Sequence, residues 1–78
     1  MWWYIVKQND TNTEIVYAYG LETKKVTGEI RYSKETEEFE CVKLADGDTE
    51  RGYEILLPHL YRVITKEDAP AERQIAIG

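Results

Sequence analysis

The chain has a single cysteine, Cys41, a single histidine, His59, and a single serine, Ser33. One cysteine excludes an internal disulfide, and with it the stapled scaffold by which many short secreted chains hold together. One each of these three residues leaves little from which to assemble a nucleophile, a base and an orienting group. No zinc-ligand spacing, phosphate-cradling glycine loop or dinucleotide fingerprint occurs. The stretch Asp46-Gly47-Asp48-Thr49-Glu50 places carboxylates at alternate positions, as calcium loops do. It lacks the glycine and glutamate that an EF-hand needs at its sixth and twelfth positions, where Arg51 and Leu57 stand instead. The expectation is a protein that is not an enzyme and holds no metal or cofactor.

Long apolar runs and a basic excess are also missing. Met1-Trp2-Trp3-Tyr4-Ile5-Val6 has no basic region before it and is cut by Lys7, so it reads as neither a signal core nor a membrane span. The cytoplasm is the expected location. The formal net charge is −5. No face gathers several Lys and Arg residues, which argues against phosphate-backbone binding and against an anionic membrane surface.

What is present is the composition of a globular protein: 42% hydrophobic, 32% charged, six tyrosines and two tryptophans. Residues 1–78 are expected to form one small domain. A chain of this size buries only about 60% of the surface its unfolded form exposes, so few apolar groups are left over for display.

Alternation with period two runs through the first half. Strands are predicted at Trp2–Gln8, Glu14–Tyr19, Val26–Tyr32 and Glu38–Leu44, separated by clusters of turn-forming residues. The turns carry Asp10-Thr11, Glu22-Thr23 and Glu35-Thr36, at the pitch of an antiparallel meander. A register that sets Tyr4 opposite Tyr19, Val6 opposite Tyr17 and Gln8 opposite Ile15 collects one apolar face. That face carries Trp2, Tyr4, Val6, Ile15, Tyr17, Tyr19, Val26, Ile30, Tyr32, Phe39 and Cys41, and the same register sets Ile15 opposite Ile30, Tyr17 opposite Gly28 and Tyr32 opposite Phe39. Gly28, in mid-strand, calls for a covering aromatic such as Tyr17 or for a bulge.

The second half holds the one convincing helix. Tyr53, Leu56, Leu57, Leu60, Tyr61 and Ile64 recur at helical spacings, while His59, Arg62 and Lys66 fall on roughly the other side. Pro58 lacks a backbone donor and is best placed in a first turn, so the main helix is predicted at residues 57–66, with Asp48 or Thr49 capping an earlier turn. Residues 73–77 form a fifth strand.

The predicted fold is α+β. A five-stranded antiparallel sheet in β-β-β-β-α-β sequence, with strand order 5-1-2-3-4, strongly curved or partly barrel-like, carries one helix packed on one face. The element order resembles that of small SH3-like barrels, which place a short helical turn before the last strand. The resemblance is one of topology and implies no function by itself.

The register leaves Trp3, Ile5, Val16, Ala18, Val42 and Leu44 on the face away from the helix. An apolar cluster of that kind on so small a domain marks a candidate interaction surface, with Trp3 expected at its centre. Glu35, Glu37, Glu38 and Glu40 form a candidate acidic contact at the third turn. The functional expectation is a small protein that acts by protein–protein contact as an adaptor, inhibitor or dimerising module, its partner being another protein or a second copy. The alternative is aromatic-surface binding of nucleic acid or a small ligand, as SH3-like and OB-like barrels perform it, with nucleic acid disfavoured by the charge.

Overall fold

A computed structural model describes residues 1–77. Strands β1 (Trp2–Asp10), β2 (Glu14–Leu21), β3 (Gly28–Ser33) and β4 (Phe39–Lys43) are followed by helix α1 (Glu50–Lys66) and strand β5 (Glu72–Ala76). All neighbouring strands are antiparallel, in the order β4-β3-β2-β1-β5. The class, the element order and the strand order are those the sequence predicts. β4 and β5 lie at opposite edges and do not pair with each other.

The predicted register fails at β1. Tyr4 pairs with Gly20, Ile5 with Tyr19 and Lys7 with Tyr17, and an extra residue between Lys7 and Asn9 then brings Asp10 opposite Ile15. The bulge absorbs one residue of β1 and slips the strand by one over most of its length. A one-residue slip turns every side chain to the opposite face. Trp3 and Ile5 therefore enter the core, both at 0% exposure. Trp2, Tyr4 and Val6 are half-buried on the other side.

The second hairpin departs from prediction by two residues: Tyr19 pairs with Gly28, Tyr17 with Ile30 and Ile15 with Tyr32. An even shift preserves the faces, so Ile15, Tyr17, Tyr19, Ile30 and Tyr32 all lie in the core as expected. The third hairpin has the predicted pairing, Tyr32 with Phe39 and Ile30 with Cys41. Tyr19, and not Tyr17, covers Gly28. A Cβ at residue 28 would collide with the Tyr19 ring and the Ala45 backbone. The Ala45 amide donates to the Tyr19 hydroxyl at 3.1 Å, which fixes the chain leaving β4 against the sheet.

Helix α1 is longer than predicted and passes through Pro58 without stopping. Thr49 caps it, its hydroxyl accepting from the Gly52 amide at 3.1 Å, and Glu50 and Lys66 suit the dipole at the two ends. An interior proline forgoes a backbone hydrogen bond and costs about 3 kcal/mol. Pro58 is exposed, and the turn before it buries Tyr53 and Leu56, which offsets that cost. The buried stripe is Gly52, Tyr53, Leu56, Leu60, Val63 and Ile64. Tyr61, expected in the stripe, lies at its border at 38% exposure, packing edge-on against Tyr32 and donating to Glu37 Oε1 at 2.8 Å.

The return from α1 to β5 is tied to the sheet. The Tyr17 hydroxyl donates to the Pro70 carbonyl at 2.6 Å, Lys7 Nζ to the Ala69 carbonyl at 2.8 Å, and the Lys7 amide to the Ala71 carbonyl at 2.7 Å. Asp68 and Ala69 hold left-handed backbone angles, φ 61 and 46, to make this turn. For two residues with a Cβ that conformation is strained, and these hydrogen bonds help hold it.

Candidate functional site

In an antiparallel pair, opposed residues project to the same side. The strand pairs therefore define the face that α1 does not cover. Trp2 with Ala76, Tyr4 with Gly20 and Gln74, Val6 with Ala18 and Glu72, and Val16 with Arg31 all project there. An apolar stripe, Trp2-Tyr4-Val6-Ala18-Val16, crosses the middle of this open face.

The six residues predicted for the interaction surface do not stay together. Trp3 and Ile5 are in the core, because the bulge reverses β1; Trp3 donates its indole N–H to Asp48 Oδ2 at 3.3 Å. Leu44 packs against the core cluster. Val16 and Ala18 are on the open face as expected, and Val42 is 46% exposed on edge strand β4. The residues missed are Trp2, Tyr4 and Val6. Their signal was present in the sequence, since they alternate as regularly as Trp3 and Ile5 do. Nothing local says which set the helix covers.

Polar side chains shield part of the stripe. Arg31 stands opposite Val16 and reaches Glu14 at 3.7 Å and Glu40 at 3.5 Å, which helps explain why Val16 is only 8% exposed on a face no other element covers. Lys24 Nζ sits 5.4 Å from the centroid of the Tyr4 ring. The Glu72 carboxylate beside the Tyr4 hydroxyl raises its pKa above the usual phenol value. Glu14, Glu29, Glu40 and Glu72 are offset by Arg31, Lys43 and Lys24. The face carries one net negative charge by that count, against −5 for the chain.

The predicted acidic contact is divided. Glu40 is engaged by Arg31 on the open side, and Glu37 accepts from Tyr61 on the helix side. Glu35 and Glu38 are exposed in the turn. The four carboxylates thus do not form one unengaged patch.

The residues of potential chemistry are apart. His59 borders a groove of about 150 Å³ between α1 and β5, where Arg73 holds Glu67 through two hydrogen bonds and lowers its pKa. Cys41 lies on β4, at the opposite edge, and Ser33 ends β3. Cys41 was expected to be buried. It is exposed, because β4 is an edge strand, and it opens on a cleft of about 310 Å³ with Leu44, Glu50, Tyr53 and Glu54. Partial burial, with Asp48 and Glu50 nearby, pushes its thiol pKa up, away from nucleophilic reactivity. Among the described residues no group of three or more His, Cys, Asp or Glu could hold a metal ion, and no helix is long and apolar enough to cross a membrane. No protein-family model, no curated protein and no solved structure matches the chain.

Proposed function

We propose that this protein acts by protein–protein contact through the open face of its sheet, and that the occupant is a second copy of the chain. The observation that carries the reading is the stripe Trp2-Tyr4-Val6-Ala18-Val16 on a face that no helix or second sheet covers and that the β2–β3 loop overlies only at Gly20. Curling of the sheet into a partly barrel-like form would hide such a stripe without a partner. The separation of β4 from β5 favours a partner instead.

Charge selects the occupant. Two chains of net charge −5 repel each other overall, and the open face, with one net negative charge, adds little to that repulsion. It offers neither the basic field that nucleic acid requires nor the strong acidity that would recruit a basic partner. A standard interface buries ~800 Å² on each partner. The chain exposes 4777 Å² in all and its Cα trace extends 31 × 22 × 19 Å, so nearly the whole open face would take part. The separation of His59, Ser33 and Cys41 supports a role without catalysis. The exposed free thiol supports a reducing, cytoplasmic setting.

Sedimentation velocity over a concentration series tests the reading. The chain is expected to dimerise, and Val6→Glu, which places a carboxylate beside Glu72 and Ala18, is expected to leave a folded monomer. A chain that stays monomeric at high concentration, or a dimer unchanged by Val6→Glu and by Tyr4→Glu, rejects this face.

A further inference from the structure

The cleft between β4 and the first half of α1 combines three features that the proposed dimer face does not use. Its apolar lining is Leu44, the Tyr53 ring and Cys41, and its charged members are Glu50 and Glu54, one helical turn apart on α1. None of the residues lining it is basic. Tyr53 is only 9% exposed, and its hydroxyl is buried with no hydrogen-bond partner among the described residues. Two other core tyrosine hydroxyls are paired: that of Tyr17 donates to Pro70, and that of Tyr19 accepts from Ala45. A buried hydroxyl left unpaired is destabilising, so it points to a group that completes it.

We infer that this cleft binds an alkylguanidinium group, whose N–H donors meet the Glu50 and Glu54 carboxylates and the Tyr53 hydroxyl oxygen while its alkyl part lies along Leu44. A guanidinium presents five donors in one plane and is more weakly hydrated than an ammonium, so it enters a half-enclosed acidic cleft at lower cost. Glu50 and Glu54 supply the negative charge of the site. Burial first, then the neighbouring acids, raise the Cys41 thiol pKa; burial first, then Cys41 and Glu40, raise that of Tyr53 to about 12. The volume of about 310 Å³ suits one side chain or a small molecule and is at the lower limit for a drug-sized ligand.

The same group is carried by free alkylguanidines and by arginine side chains of proteins. Amide chemical shifts of the full chain should be followed during titration with n-butylguanidinium chloride, with n-butylammonium chloride, and with acetyl-Gly-Arg-Gly-amide. The expected result is saturable shifts at Cys41, Leu44 and Tyr53, stronger for the guanidinium than for the ammonium. Tighter binding of the peptide identifies an arginine of a partner protein as the source, and tighter binding of n-butylguanidinium identifies a small molecule. Removing both charges in Glu50→Gln/Glu54→Gln should abolish saturation. Tyr53→Phe, which keeps the ring and removes only the hydroxyl, should weaken binding about tenfold, the effect of one hydrogen bond to a charged group. Absence of saturable shifts, equal shifts in the Glu50→Gln/Glu54→Gln chain, or unchanged affinity in Tyr53→Phe would overturn the assignment.

Discussion

The two faces of the sheet are built from nearly the same kinds of residue and behave differently. The covered face joins Trp3, Ile5, Tyr17, Tyr19 and Ile30 to Leu56 and Leu60 of α1, and all seven are at most 1% exposed. The open face holds Trp2, Tyr4, Val6 and Ala18, all half-buried, and Val16, buried beside Arg31, with charged side chains laid over or beside them. The hydrophobicity of the residue does not distinguish the faces. Contact with a second layer does, since apolar area removed from water stabilises at about 25 cal/mol per Å² wherever the contact is made. The adjacent tryptophans make the point: one is a full core residue and its neighbour a surface residue, a difference set by one bulge.

Several substitutions sharpen this contrast. The largest effect is expected from Trp3→Ala, which empties the space under α1 and removes the hydrogen bond to Asp48; urea denaturation should show a loss of ~3–5 kcal/mol. Trp2→Ala, one residue away, should cost under ~1 kcal/mol, as surface substitutions do. Equal losses for the two would erase the distinction between the faces.

Next comes Tyr17→Phe, which cuts the hydrogen bond to Pro70 and should cost ~1 kcal/mol. It also has a pH signature. Burial pushes the Tyr17 pKa up to about 12 from the ordinary value of 10, so the folded state favours the neutral phenol. That contribution is complete below pH 10 and is lost as the pH rises through 12. Stability of the Tyr17→Phe chain should therefore fall less steeply between those two values, measured by denaturation at fixed pH.

The smallest expected effect is on the open face. Arg31→Ala removes two exposed ion pairs and uncovers Val16, for a loss of under ~1 kcal/mol that diminishes further in salt. A loss as large as that of Trp3→Ala would mean that the open face is itself a core.

Much of this arrangement could be read from the residues. Ile15, Tyr17, Tyr19, Ile30 and Tyr32 alternate with Glu14, Ala18, Glu29 and Arg31, so β2 and β3 have one face that can be buried. The strand order followed from turn chemistry and from the need for α1 to carry the chain back across the sheet. β1 was not legible in this way. Trp2 through Val6 is apolar at every position, so both registers give a plausible core, and the bulge near Gln8 has no signal that turn counting detects. Pro58 misled for a different reason: its cost is local and visible, whereas the burial of Tyr53 and Leu56 that offsets it belongs to the tertiary structure. Cys41 sits on the core side of β4 by alternation, yet alternation does not reveal how far a helix extends over an edge strand. The candidate surface inherited the error in β1, losing Trp3 and Ile5 and missing Trp2, Tyr4 and Val6.

The placement of β1 decides most of this, and the two tryptophans report it separately. Acrylamide quenching of fluorescence should be compared in Trp2→Phe and Trp3→Phe chains at high dilution. Trp3, left alone in the Trp2→Phe chain, should emit at shorter wavelength and resist quenching, while Trp2 in the Trp3→Phe chain should be quenched readily. Ready quenching of Trp3 together with a shielded Trp2 would mean that β1 faces the other way, and would contradict the assignment of both the core and the open face.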